Sequence, residues 1–273
     1  IAPAGPTAGD QPNLEKADRL VGLKVRDSRS TWLGTIREIV LTPDRRAVDY
    51  VVLSYGGVWG VPEKLFAIPW AQVQPGLGPE ALTLNLDRRQ LEQEKGLSRD
   101  YWPATTAGRW RDRARRPDGA PAAPAVAWSP HAVERDGVVV LPAEELRYRR
   151  LDRLAGMTVR NHQGEPLGQL ANFVIDARNG ALAYAVLTLP YERPSLETRL
   201  VAVPWPAVEI LPQAGIARLD ADRPTLAALA FTASDFPNLA DAGYSRQLHD
   251  RFHATPYGQV LGYVPDPEPR RTP

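Results

Sequence analysis

Apolar and polar positions along this chain fall into short alternating blocks. The run at 32–42, Trp-Leu-Gly-Thr-Ile-Arg-Glu-Ile-Val-Leu-Thr, and the run at 48–55, Val-Asp-Tyr-Val-Val-Leu-Ser-Tyr, are separated by Pro43-Asp44-Arg45-Arg46. Blocks of β-branched and aromatic residues bounded by turn residues predict paired antiparallel strands. A shorter apolar segment at 20–25, broken by Gly22, precedes them and completes a hairpin. Two further strands are expected at 64–70 and 82–86, the second alternating cleanly with period two. Asp87 then stands as the N-cap of a short helix at 88–95 that Gly96 stops.

The pattern is written twice. Segments 19–53 and 153–187 align at a constant offset of 134 with 12 identities in 35 positions, among them Gly22 with Gly156 and Gly34 with Gly168. After one inserted residue, Ala67-Ile68-Pro69-Trp70 is answered by Ala202-Val203-Pro204-Trp205. In the second copy the turn after the long strand carries Asn179-Gly180, which supplies the positive φ of a tight hairpin. One turn chemistry replacing another at the same place supports the strands on either side. A duplicated unit of this length is a small domain, not a solenoid repeat. Its many short strands and frequent turns predict a mainly β chain of two small antiparallel barrels or sandwiches, each followed by short helical segments.

The remaining segments set the domain organisation. Residues 1–17, with Pro3, Pro6 and Pro12 and no apolar period, read as an extended or disordered leader. The first barrel with its tail spans 18–103, and a basic, Pro/Ala-rich linker spans 104–150. Inside that linker, 137–141 is too apolar to stay in water and is expected to add a strand to one of the barrels. The second barrel covers 151–230, followed by a helical tail and a proline-rich arm at 231–273. Asp235-Phe236-Pro237 in the tail reads as an aromatic plug for the barrel end.

Composition narrows the function. With 273 residues, 43% hydrophobic and 24% charged, the chain can bury two ordinary cores, and a net charge of +1 leaves no global field to recruit nucleic acid or membrane. Cysteine is absent, which removes disulfides, thiolate catalysis and thiolate metal sites together. No apolar run approaches the roughly 18 residues of a spanning helix. The polar opening Ile1-Ala2-Pro3-Ala4-Gly5-Pro6 resembles what remains after a signal peptide is removed, so a periplasmic or extracellular location is expected, with the cytoplasm as the alternative.

Candidate catalytic chemistry is sparse. His249 and His253 lie four apart on an expected helix, the spacing of H-E-x-x-H, yet Asp250 stands where that motif has Glu and no third ligand follows. A surface helix with two exposed imidazoles is the expected outcome, and no metal or other cofactor is called for. His162 falls in a turn, and neither Ser54 nor Ser195 sits in a nucleophile elbow. A non-enzymatic protein is expected. Aromatic and basic residues are the better candidates for contact, because Trp, Tyr and Arg dominate binding hot spots. Arg109, Trp110, Arg111 and Arg113 form an arginine-rich stretch suited either to a solvated linker or to an acidic surface.

The order of (R)-L-x-G-x-x-V, then L-G, then a Tyr-Val-Val-Leu strand and A-[IV]-P-W resembles the PRC-barrel family. Both copies carry it, with Gly22, Gly34, Pro69 and Trp70 in the first and Gly156, Gly168, Pro204 and Trp205 in the second. The resemblance implies a docking platform of bacterial type: a structural or scaffold subunit that binds another protein or copies of itself. The contacts expected on that basis are Trp59 and Val61, Trp102, the stretch Arg109, Trp110, Arg111 and Arg113, the loop at Tyr191 and Arg193, and the two termini. Two alternatives stand beside it: a module for RNA or anionic lipid carried by the linker arginines, and an accessory subunit of a membrane electron-transfer or photosynthetic complex.

Overall fold

The computed structural model describes residues 12–56, 63–74, 81–84, 88–93, 96–97, 133–135, 138–140, 146–190 and 197–256. The first copy contributes β1 (Leu14–Lys16), β2 (Lys24–Asp27), β3 (Trp32–Leu41), β4 (Val48–Tyr55), β5 (Lys64–Pro69), β6 (Val73–Gln74) and β7 (Ala81–Leu84). Strands β2 to β7 form one sheet in the order β5-β4-β3-β2-β7-β6. A two-stranded hairpin, β8 (Val133–Arg135) with β9 (Val138–Val140), follows. The second copy supplies β10 (Thr158–Arg160), β11 (Pro166–Asp176), β12 (Ala181–Thr188), β13 (Leu200–Pro204), β14 (Val208–Leu211) and β15 (Ile216–Leu219), in the order β13-β12-β11-β10-β15-β14. The two orders are the same topology repeated. Each sheet is antiparallel except for one parallel neighbour pair, β2 with β7 and β10 with β15.

Local chemistry explains the strands. Alternation in β2 puts Val25 and Asp27 inward and Lys24 and Arg26 outward. Gly34 and Gly168 sit where β3 and β11 cross β4 and β12 so closely that a Cβ would run into the carbonyl oxygens of Ser54 and Thr188. Only glycine permits that approach. Asp27 and Asn161 tie the turns after β2 and β10, accepting from the backbone N–H groups of Arg29 and Thr31 and of Gln163 and Glu165 respectively. Asp222 caps the helix Arg223–Ala228 by accepting from the Thr225 N–H at 2.8 Å.

The central strands are buried on both faces. Tyr50 and Tyr184, equivalent residues of β4 and β12, are fully buried. In the second half the outer face is covered by the helix Ala242–Arg251: the hydroxyls of Tyr184 and Ser245 lie 2.7 Å apart, and the His249 ring meets Tyr184 edge-on at 5.6 Å. In the first half Leu146 packs into the corresponding cluster of Val40, Tyr50, Val52, Leu65 and Ala67.

The expected hairpin is present, β2 pairing antiparallel with β3 after a helical turn at Ala17–Leu20 and Gly22 at φ 87. Other expectations are corrected. Residues 14–16 are not a free leader but a paired strand. Among the described residues the linker's apolar stretch, Val138–Val140, pairs with Val133–Arg135 in the β8–β9 hairpin and joins neither larger sheet. Near the linker's end Arg149 is not solvated but 3% exposed. Among the described residues no helix is long and apolar enough to cross a membrane.

Candidate functional site

The distinctive geometry lies at the seam between the two halves. Ala47 and Ala181, which correspond under the repeat, face each other as an antiparallel bridge. The Val48 N–H donates to the Gly180 carbonyl at 2.8 Å, and the Leu182 N–H donates to the Arg46 carbonyl at 2.9 Å. These two bonds exchange under the same offset, so a local two-fold axis passes between the alanines. The tryptophans of the repeated Pro-Trp motif flank it. Trp70 packs against Gly180, where a Cβ would come within 2.5 Å of the Trp70 Cδ1. Trp205 donates from Nε1 to the Arg45 carbonyl at 2.6 Å and meets Phe173 edge-on at 5.8 Å. Both are buried core residues, and both also close the join between the two halves.

The halves also trade their leading segments. β11 is longer than β10, so its C-terminal part has an open edge, and β1 of the first half covers it with Lys16 opposite Val174. The reciprocal contact sets Arg150, the counterpart of Lys16, opposite Val40 of β3. Open strand edges invite uncontrolled pairing, and here each half uses the other to satisfy its own. Asp18 and Phe236 pin the first exchange: the Asp18 N–H donates to Asn172 Oδ1 at 3.3 Å, and Lys16 Nζ lies 3.6 Å from the Phe236 ring. Phe236 stacks edge-on against Phe231 at 5.1 Å, so the acidic–aromatic element holds β1 in place.

The second exchange is held by charge. Arg149 Nε donates to the Leu41 carbonyl at 2.7 Å while its Nη2 pairs with Asp49 at 2.8 Å. Arg150 bridges Glu38 and Asp152, each at 2.8 Å. Burial, reinforced by Asp152 and partly offset by Arg150, raises Glu38 from the usual carboxylate value to about 7. None of these five charged residues, Arg149, Asp49, Arg150, Glu38 and Asp152, was singled out from the sequence as a contact. The signal available was the alignment itself, since Glu38 corresponds to Asn172 and Arg150 to Lys16.

The predicted contact residues Trp59, Val61, Trp102, Arg109, Trp110, Arg111, Arg113, Tyr191 and Arg193 lie outside the described residues. The motif residues Gly22, Gly34, Pro69, Trp70, Gly156, Gly168, Pro204 and Trp205 fall at turns, strand crossings and the seam. His249 corrects the picture of two exposed imidazoles. It is 3% exposed, its Nδ1 lies 2.7 Å from the Ser245 carbonyl, and burial lowers its pKa. Among the described residues no group of three His, Asp or Glu side chains could hold a metal ion.

A duplicated, small, mainly β domain built around Pro-Trp strand ends defines the class of protein. The PRC-barrel domain model matches residues 12–78 and 147–224, more than half of the chain, and the chain belongs to that family. No curated protein matches it in sequence. Among solved structures it is similar to a 16S ribosomal RNA processing protein, RimM, of Pseudomonas aeruginosa, with 17% identity over 77% of this chain and 98% of that one and a TM-score of 0.20.

Proposed function

We propose that the chain is a non-enzymatic docking protein, a rigid two-barrel platform that presents its surface to a protein partner. The observation that carries the reading is what the buried charged groups are doing. Asp27 and Asp176 tie turns, Glu38 and Arg149 hold the seam, and His249 bonds to its own helix. Each makes an architectural bond, and those bonds account for these buried side chains without a catalytic role. Trp32, 41% exposed at the start of β3 where the second copy has Pro166, supports the platform reading as an anchor on a rigid element.

The test is the native mass of the protein from its own cells at gentle salt, with co-purifying chains identified by mass spectrometry. A stable complex that Trp32→Ala releases, with an unchanged circular dichroism spectrum, is the expected result. A 30.1 kDa species with nothing attached would overturn it.

A further inference from the structure

Two turns related by the internal two-fold keep their backbone bonds across the seam yet differ in side chains. Arg45-Arg46 stands where the second copy has Asn179-Gly180. On the glycine side Trp70 fills the space against residue 180. On the arginine side the space stays open as a cavity of about 550 Å³, lined by Arg45, Arg46, Trp205, Glu209, His253 and Thr255 among others. The duplication has diverged at a place where backbone pairing is otherwise preserved.

The cavity carries an unanswered positive charge. Arg45 is half-buried and makes no ion pair among the described residues; burial lowers its pKa, Asp44 partly offsets that, and the like charge of Arg149 adds to it. A cation withdrawn from water without a partner is costly, and an incoming anion removes the cost. The nearby carboxylates are already engaged. Glu209 pairs with Arg218, and Asp44 accepts the Thr42 hydroxyl at 2.6 Å while its other oxygen lies 3.9 Å from Arg46. Backbone strain gathers at the same spot. Of the non-glycine residues with positive φ among the described residues, Ser30, Arg45 and His253, the last two line this cavity, at φ 58 and φ 50. Left-handed backbone at non-glycine positions persists where surrounding structure enforces it, and it concentrates at ligand sites. Here the enforcing contact is the Trp205 indole on the Arg45 carbonyl.

We propose that this cavity binds a small anionic molecule, a carboxylate or phosphate group on a small apolar body, with the anion on Arg45 and His253 and the body in the cavity beside the buried Trp205. Arg45 offers a planar fork matched to either anion, and Arg46 adds a second positive charge at the rim.

The test titrates the full chain with phenyl phosphate, benzoate and the neutral control benzamide. Binding is followed by calorimetry and by the indole N–H resonance of Trp205, assigned by its loss in Trp205→Phe. The expected result is saturable binding of at least one anion that moves the Trp205 resonance while benzamide does not; which anion responds separates phosphate from carboxylate. Arg45→Gln weakens that binding about tenfold or more, and Arg45→Lys recovers part of it. If Arg45→Gln fails to fold, His253→Gln decides, because His253 makes none of the seam bonds. Absence of any anion-induced shift up to ~10 mM, or unaltered binding in the variant, would overturn the proposal.

Discussion

Ala47 and Ala181 occupy the same place in two copies of one domain and face each other across the axis that relates them. Backbone bonds flank the pair on both sides, from Val48 to Gly180 and from Leu182 to Arg46. A heterologous contact between two barrels would not superpose on itself in this way, whereas an isologous one must. The chain is an internally fused two-fold dimer, with the exchanged segments 14–16 and 146–150 as its arms.

The join is made by strands and buried side chains from both halves, so it does not depend on chain continuity between them. Cleavage at a protease site introduced in the stretch 117–130 is expected to leave the two fragments co-eluting on native size exclusion and separating only in denaturant. Fragments that part at neutral pH in buffer would mean the seam is too weak to hold.

Arg149 couples the incoming segment to both Leu41 and Asp49. Arg149→Ala removes this ion pair from the mostly buried Asp49 carboxylate and is expected to cost about 3 kcal/mol in urea unfolding. Arg149→Lys keeps the charge but loses the fork, and falls between the two.

Glu38 predicts a pH signature. Its pKa in the folded chain is about 7, above the ordinary 4.5, so the folded state binds more protons than the unfolded state between these values. Its contribution to stability is complete below about 4.5 and is lost as pH rises through 7. Glu38→Gln removes this dependence. The difference in unfolding free energy, variant minus wild type, is expected to grow by about 1–3 kcal/mol from pH 5 to pH 8. Burial of neutral His249 acts in the opposite sense, its stabilisation fading as pH falls, and it cancels in that difference. A difference that stays flat with pH would show that Glu38 remains ionised throughout.

The two seam tryptophans differ in one bond. Trp205 Nε1 has the Arg45 carbonyl, while Trp70 Nε1 is buried with no hydrogen-bond partner among the described residues. Trp205→Phe is therefore expected to destabilise by about 1 kcal/mol more than Trp70→Phe, as read from thermal or urea unfolding.

Gly34 lies against the Ser54 carbonyl with no room for a methyl group. Gly34→Ala is expected to destabilise the first half by about 3 kcal/mol or more, while Gly22→Ala, where a Cβ meets nothing within 4 Å, costs only the strain of its φ of 87. Unfolding midpoints of the two variants check the order.

Much of this architecture was legible because duplication supplies an internal alignment. Gly34 with Gly168, Asn179-Gly180 at the hairpin and the two Pro-Trp ends fixed the strands and their turns. The seam was not legible, because it joins residues more than a hundred positions apart, and nothing in the local pattern near Arg149 distinguishes a solvated linker end from a buried clamp. Reading the offset upstream from Arg19 to Lys16 and Arg150 would have attached 146–150 to the second copy. His249 failed for a related reason: periodicity gives a helix two faces but does not say which neighbour covers each, and here Tyr184 does. The nine contact residues expected from the resemblance and the aromatic and arginine pattern lie outside the described residues, and the cavity at Arg45 was not legible because it gathers residues 44–46, 205–210 and 253–255 from distant parts of the chain.

The exchange of leading segments orders the birth of this protein. β1 leaves the ribosome ahead of everything it pairs with, and its docking edge on β11 follows some 160 residues later, beyond the whole first sheet and the linker. At roughly 5–20 residues per second that interval lasts on the order of ten seconds. Throughout it the first half has the β3 edge uncovered until 146–150 arrives, and β1 itself waits for synthesis to pass Asp176. The nascent chain thus carries an open edge and an unpaired strand through much of its synthesis, and segments of the second half protect what the first half made.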